Sequence, residues 1–214
     1  MFNDFKGFNA ENNPVKISVP PTLLASSIGI VDDSTTCISM DLKMDGDLVY
    51  LIGGTRAELG ASEYGRMIAE KNGTNAIGGN VPTLPDTRTA WNSYEGLGRA
   101  IQQRLIASAH PLEYGGLGVG LAKKCIAGQK GMRVDVSVIP LNAHETLFSE
   151  SLGRILVSVA PQNKQAFEKI MGVHAQRVGV VEGTALSIEK NGQTLVHARV
   201  QELDSAYKKT FEGF

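Results

Sequence analysis

Apolar and polar residues alternate over Val15-Lys16-Ile17-Ser18-Val19, which predicts a half-buried strand ended by Pro20-Pro21. The residues before it, with Asn9, Glu11, Asn12, Asn13 and Pro14, read as an exposed, turn-rich connection. Leu23 to Val31 is a second apolar segment, and Cys37 to Leu42 is strand-like again. The first forty residues therefore read as strands without a helix to cover them. Asp47 to Gly53 is almost continuously apolar, the pattern of a strand buried on both faces. It runs into the loop Gly53 to Ser62, after which residues 62–70 suit a helix, and a loop rich in Gly, Asn and Pro spans Asn72 to Pro85. Asp86 or Thr87 then caps a helix expected to reach about Ala107, with Trp91, Tyr94, Leu97, Ile101 and Leu105 on its buried face.

His110 to Tyr114 reads as a connector before a small-residue helix from Gly115 to about Ala127, ended by Gly128. Val134, Val136 and Val138 alternate in a strand expected from Met132 to Ile139, and residues 145–152 suit a short helix or turn. Arg154 to Ala160 is a strand with Ile155, Val157 and Val159 on one face. Asn163 to Met171 is a helix with Ala166, Phe167, Ile170 and Met171 as its buried stripe. Strands over Arg177–Val181, Ala185–Glu189 and Thr194–Val200 follow, the last two joined at the hairpin signal Asn191-Gly192. Residues 201–212 close the chain as a helix. Helices and strands alternate, so the fold class is α/β, of the α+β type, a mixed sheet covered by helices.

The 214 residues suit one large domain, or a domain with an arm. A chain of that size buries roughly 70% of its unfolded surface, enough for a real core. Lys and Arg total 21 and Asp and Glu total 22, a net charge of −1. That balance argues against a nucleic-acid binder and against a polybasic membrane-surface protein. Two cysteines, Cys37 and Cys125, make neither a disulfide framework nor a four-cysteine zinc site, and suit reduced thiols in a cytoplasmic protein. Met1-Phe2-Asn3-Asp4-Phe5-Lys6 does not resemble a signal peptide, and the charge-free run before Asp32 is too short and proline-broken to span a bilayer.

Few motifs carry chemistry. The loop Gly53 to Ser62 follows a strand and opens a helix, so it is either a tight turn or a phosphate cradle helped by Thr55 and Ser62. It lacks the Gly-Lys-Ser/Thr ending of a Walker loop. Gly116-Leu117-Gly118-Val119-Gly120 fails as a dinucleotide fingerprint and fits close packing of a helix on a sheet. His144-Glu145 starts a zinc-protease-like motif, but Phe148 stands where the second histidine belongs. Glu150-Ser151 offers a carboxylate and a hydroxyl ahead of a strand, a pair that also serves simply as a cap. No metal site is expected.

Taken in order, several segments resemble one family. They are Ile17 to Leu24 through Ile28-Gly29-Ile30-Val31-Asp32-Asp33, Gly46 to Gly53, and Leu59-Gly60-Ala61-Ser62-Glu63-Tyr64. His110 with Gly115-Gly116-Leu117 comes next, then Leu147-Phe148-Ser149-Glu150-Ser151 with Arg154, then Gly179 to Gly183. Their order and spacing are similar to the C-terminal region of phosphoribosylformylglycinamidine synthase, in its synthetase portion, within the superfamily of ATP-binding proteins related to aminoimidazole ribonucleotide synthetase.

The resemblance implies a fragment of a longer, duplicated enzyme. Residues 1–45 would be an arm carrying the last strands of a preceding ATP-binding-like domain, and residues 46–214 the final α/β domain. It implies a ligase of purine biosynthesis that converts formylglycinamide ribonucleotide, ATP and ammonia to formylglycinamidine ribonucleotide. ATP with magnesium would serve the complete enzyme, with no cofactor and no catalytic residue in this chain. The partners implied are the remaining synthetase domains and a glutaminase subunit or domain, with a homodimer through the arm also open. Gly60, Ala61, Ser62, Glu63, Glu150 and Ser151 are the phosphate or substrate candidates. An auxiliary nucleotide site would comprise His110, Pro111, Glu113, Gly115 and Gly116. The family's magnesium-binding Asp falls at Pro111 and its Ser at Glu113, so that site is expected to have decayed. A non-catalytic scaffold, or another member of the superfamily, is the alternative.

Overall fold

The computed structural model describes residues 4–18, 24–74 and 78–209. Val19, Pro20-Pro21, Leu23 and the end of the expected closing helix lie outside them. The chain divides into two compact units, Met1–Ser34 and Thr35–Phe214.

In the first unit, β1 (Asp4–Phe8) pairs antiparallel with β2 (Pro14–Ser18), Asp4 opposite Ser18 and Phe8 opposite Pro14. The strand at β2 is as expected; β1 corrects the reading of its residues as a connection. The Asn9 side chain closes the hairpin by accepting the Glu11 and Asn13 amides, with Asn12 left-handed at φ 61°. Residues 24–33 form no strand, because an apolar alternation becomes a strand only when a neighbour completes its ladder. Phe5, Phe8, Ile17, Ile28 and Ile30 are exposed.

The second unit is a seven-stranded sheet in the order β4-β6-β3-β7-β5-β8-β9. Its strands are β3 (Leu48–Ile52), β4 (Ser108–Pro111), β5 (Met132–Asp135), β6 (Ile155–Val159), β7 (Ala175–Val181), β8 (Ala185–Lys190) and β9 (Gln193–Arg199). Every pairing is antiparallel except β5 with β8. Among the described residues six α-helices accompany it: α1 (Glu63–Asn72), α2 (Thr87–Gln102), α3 (Gly116–Gly128), α4 (Ala143–Phe148), α5 (Lys164–Met171) and α6 (Val200–Lys208).

All five residues of β3 are buried, and their alternation divides the core. Val49 and Leu51 join a cluster with Leu117, Leu121 and Cys125 of α3, Leu147 of α4 and Val200 of α6. Leu48, Tyr50 and Ile52 join a second cluster with Leu97 and Ala100 of α2, Phe167 and Met171 of α5, and Val157 and Val159 of β6. A sheet covered on both faces results, as the sequence pattern predicts.

Five expectations are corrected. The helix α2 ends at Gln102, short of Ala107, because Arg104 turns left-handed at φ 55° while its amide donates to Ile101 O and the Leu105 amide to Ala100 O. This is a Schellman stop without the usual glycine. Its buried face is Ser93, Gly96, Leu97 and Ala100, whereas Trp91 is 63% exposed and Tyr94 45%. Small residues win there because α2 lies close on α5: a Cβ at Gly96 would meet Met171 Sδ at 3.2 Å. The supposed connector at His110 is the edge strand β4. Residues 37–42 form no strand, although Ser39 O accepts the Ala109 amide along that edge. The strand β5 stops at Asp135, whose carboxylate accepts the Ser137 amide at 2.8 Å; Val138 is consequently exposed. The Asn191-Gly192 hairpin is as expected, with both residues left-handed at φ 51° and 77°.

Beneath α3 lies a buried ammonium. Lys124 Nζ donates to Ser108 Oγ at 2.6 Å and to Met40 O at 3.1 Å, and Ser108 Oγ meets Ser158 Oγ at 2.7 Å. Burial pulls Lys124 down to about 8 and pushes its neighbour Cys125 up to about 12. Between about pH 8 and 10.5 the unfolded chain holds a proton on Lys124 that the folded chain has released, so this lysine makes stability rise with pH. Cys125 opposes it above pH 9, where the unfolded thiol ionises and the folded one does not. In urea melts, Lys124→Met is expected to remove the rise between pH 8 and 9, worth about 1 kcal/mol.

Candidate functional site

The candidate residues gather where β3 ends. Gly53 leaves the strand left-handed at φ 82°, and a Cβ there would lie 2.6 Å from Gly153 O. The loop that follows is zipped to residues 149–151. Ser149 Oγ accepts the Glu58 amide at 3.1 Å, Ser151 Oγ accepts the Arg56 amide at 3.0 Å, and the Glu150 amide donates to Glu58 O at 3.3 Å. Gly60 comes within 2.8 Å of Asn80 O through its amide, where a side chain would collide with backbone. Ala61 is left-handed at φ 56°, and Ser62 then caps α1, accepting the Gly65 amide at 3.0 Å and donating to Leu59 O at 2.7 Å.

Two charged side chains that sequence reasoning left without a role hold the loop. Arg154 is fully buried. Its Nε donates to Ser151 O at 2.9 Å, Nη1 to Thr55 Oγ1 at 3.1 Å and Nη2 to Ser149 O at 2.5 Å. Burial lowers it to about 10, with Glu58 working the other way. Glu58 is only 3% exposed; its Oε1 accepts from Arg56 Nε at 2.9 Å, the Thr83 amide at 3.0 Å and Thr83 Oγ1 at 2.8 Å. Burial alone would raise this carboxyl, but donors from Ser151, Arg56 and Thr83 outweigh it and hold it at about 2. Its Oε2 is buried without a hydrogen-bond partner among the described residues. No local sequence signal marks Glu58, because its burial depends on Thr83, 25 residues away.

Glu150 joins the two groups of predicted residues. Its Oε1 accepts the Glu63 amide at 2.9 Å and the Gly115 amide at 2.8 Å. Gly115 and Gly116 are left-handed at φ 82° and 65°, and a Cβ at Gly116 would sit 2.5 Å from Ser149 O. Ser62, Glu63, Glu150, Ser151, Gly115 and Gly116 therefore form one cluster. His110 and Pro111 stay on β4, paired opposite Leu156 and Ile155, and the Glu113 carbonyl accepts the Gly116 amide at 3.0 Å. Burial, then Lys124 and Lys123, pulls His110 below the usual imidazole range. Beside the cluster a cavity of about 350 Å³ has Tyr64, Met67, Val119 and Phe148 in its walls. The Tyr64 and Phe148 rings stack at 4.6 Å, and Tyr64 OH meets His144 Nδ1 at 2.7 Å.

A mixed sheet with helices on both faces and a glycine-bearing loop at the end of a fully buried inner strand defines an α/β domain of the kind found in synthetases of the aminoimidazole ribonucleotide type. The chain belongs to the family of AIR synthase related proteins, C-terminal domain, whose model matches residues 44–190. It is 33% identical over 200 residues to the phosphoribosylformylglycinamidine synthase subunit PurL of Alkaliphilus metalliredigens, covering 92% of this chain and 26% of that protein. The PurL subunit of Carboxydothermus hydrogenoformans is 34% identical over 198 residues, covering 89% and 26%. The chain thus spans about a quarter of these relatives. Among solved structures, Thermotoga maritima PurL complexed with FGAR superposes with a TM-score of 0.68 at 20% identity, covering 80% of this chain and 30% of that one. The hydrogenase maturation protein HypE follows with 0.53 at 15%, covering 78% and 56%. Both likenesses concern the fold, which agrees with the architecture expected from sequence.

Glu58 supplies a test of the loop. Its carboxyl lies lower in the folded chain than in the unfolded one, so its contribution is full above about pH 4.5 and disappears as pH falls toward about 2. Glu58→Gln is expected to cost about 2–3 kcal/mol at pH 7 in urea melts, with the gap to the parent protein closing as the pH falls below 4.5.

Proposed function

We propose that this chain is the C-terminal lobe of an ATP-dependent C–N ligase of purine biosynthesis. The reaction converts formylglycinamide ribonucleotide to the formylglycinamidine. ATP phosphorylates the amide oxygen and leaves as ADP; ammonia then bonds to that carbon as phosphate departs. The observation that carries this reading is the 33% identity, over 92% of the chain, to a PurL subunit. The chain corresponds to only 26% of that subunit, which supports placing catalysis in the remainder. Residues 1–45 fit as the end of a preceding ATP-binding-like domain; the exposed Phe5, Phe8 and Ile17 of the hairpin suit contact with that domain or with a second copy. The remaining synthetase domains and a glutaminase are the partners, and the enzyme is cytoplasmic. Among the described residues no helix is long and apolar enough to cross a membrane.

The loop Gly60–Glu63 with Glu150 and Ser151 is the edge of the lobe that would face a bound phosphate. The auxiliary site is read as decayed. Magnesium-bound nucleotide does not fit there: Pro111 offers no side-chain ligand, and the Gly115 amide is already engaged by Glu150. This chain's part is to shape and cover, through the Arg154 and Glu58 contacts that fix the loop. A scaffold that binds no small molecule is the second reading, favoured by that same occupied amide.

A chimera tests the proposal. With this chain replacing the matched quarter of the Carboxydothermus subunit, ATP- and ammonia-dependent turnover is expected to persist, whereas a folded but inactive chimera sinks the ligase reading. Alone, the chain is expected to form no product and to give no heat with magnesium and ATP in calorimetry.

A further inference from the structure

We propose that Asn191 is a site of spontaneous covalent modification: the tip of the β8–β9 hairpin converts to aspartate and isoaspartate with loss of ammonia. The proposal is independent of the ligase reading. In the first step the Gly192 backbone nitrogen gives up its proton and bonds to the side-chain carbonyl carbon of Asn191. The carboxamide C–N bond breaks, and its nitrogen takes up that proton and leaves as ammonia. A five-membered succinimide remains. Water then opens the ring, giving aspartate at one carbonyl and isoaspartate at the other. No oxidant, reductant or enzyme is needed. The sequence holds three dipeptides open to such a closure, Asp45-Gly46, Asn72-Gly73 and Asn191-Gly192, since a glycine has no Cβ to obstruct it. At Asp45 the group lost is water instead of ammonia. The two asparagines even share their preceding residue, as Lys71-Asn72-Gly73 and Lys190-Asn191-Gly192.

What separates them is how the attacking amide is engaged. The Gly46 amide donates to Val181 O at 2.8 Å. The Gly73 amide closes α1, donating to Glu70 O at 3.3 Å. The Gly192 amide has no acceptor among the described residues, and the Asn191 carboxamide has no partner there either. An engaged amide has to break its bond before it can attack, so only Gly192 is ready. The residue around it is held still: the Asn191 amide donates to Ser137 Oγ at 2.7 Å, and Lys190 Nζ to Val136 O at 3.3 Å. Asn191 and Gly192 are both exposed, at the end of the outermost strand pair of the sheet. The product does not suit the turn. Both positions are left-handed, at φ 51° and 77°, and isoaspartate adds a methylene to the main chain between Lys190 and Gln193, which are paired across it.

Timed incubation in mildly alkaline buffer, followed by peptide mass spectrometry, tests the proposal on the whole chain. The peptide holding Asn191 is expected to gain one mass unit at least about tenfold faster than the peptide holding Asn72, and isoaspartate is expected to accumulate at position 191 ahead of position 45. In concentrated urea, where the hydrogen bonds of Gly73 and Gly192 no longer differ, the two asparagines are expected to convert at similar rates. Conversion at Asn72 as fast as at Asn191 in the folded chain overturns the proposal, as does a lead of Asn191 that persists unchanged in urea.

Discussion

A strand buried on both faces has to be covered on both, and β3 imposes that constraint on this protein. Leu48, Tyr50 and Ile52 require α2 and α5; Val49 and Leu51 require α3, α4 and α6. Burying apolar side chains of this size gains about 1.5–3 kcal/mol each, so the two clusters together dominate the favourable side of folding. The close helix contacts follow from the same demand. Gly96 of α2 and Gly120 of α3 let the Met171 and Leu112 side chains pack directly on the helix backbone, where a larger residue would collide.

Where β3 ends, the chemistry changes. An apolar sheet end must give way to a loop, and a buried loop carries polar backbone that has to be paired. Here Ser149, Ser151, Arg154 and Glu58 pair it. A guanidinium bonded to two carbonyls and a hydroxyl is tolerable when buried because each of its three nitrogens has an acceptor. Glu58 also moderates Arg154, since its negative charge opposes the effect of burial on the guanidinium. The result is a rigid edge, well suited to meet another domain or a bound group without rearrangement.

On the reading proposed for this chain, that edge belongs to a lobe whose auxiliary nucleotide site has decayed. The glycines at Gly60, Gly115 and Gly116 keep the close backbone approaches. The Glu63 and Gly115 amides are turned inward onto Glu150, while the Gly60 and Gly116 amides go to the Asn80 and Glu113 carbonyls. Family membership rests on residues 44–190, which contain the whole of this arrangement.

The sheet, its two-sided burial, the helix at Ser62, the hairpin at Asn191-Gly192 and the family all followed from the sequence, because each is written in local periodicity, a cap, a turn dipeptide or ordered short motifs. The end of α2 escaped, since an arginine rather than a glycine takes the left-handed position. Of its expected buried face Leu97 held, but Trp91 and Tyr94 look like core until the packing of α5 puts Ser93, Gly96 and Ala100 there instead. The candidate site was legible as a set of residues and illegible as a connection. That Glu63, Gly115 and Glu150 meet at one oxygen depends on contacts 87 and 35 residues apart in the chain. Periodicity reports what surrounds a residue along the chain, and only the packed sheet determines which amide a carboxylate can reach.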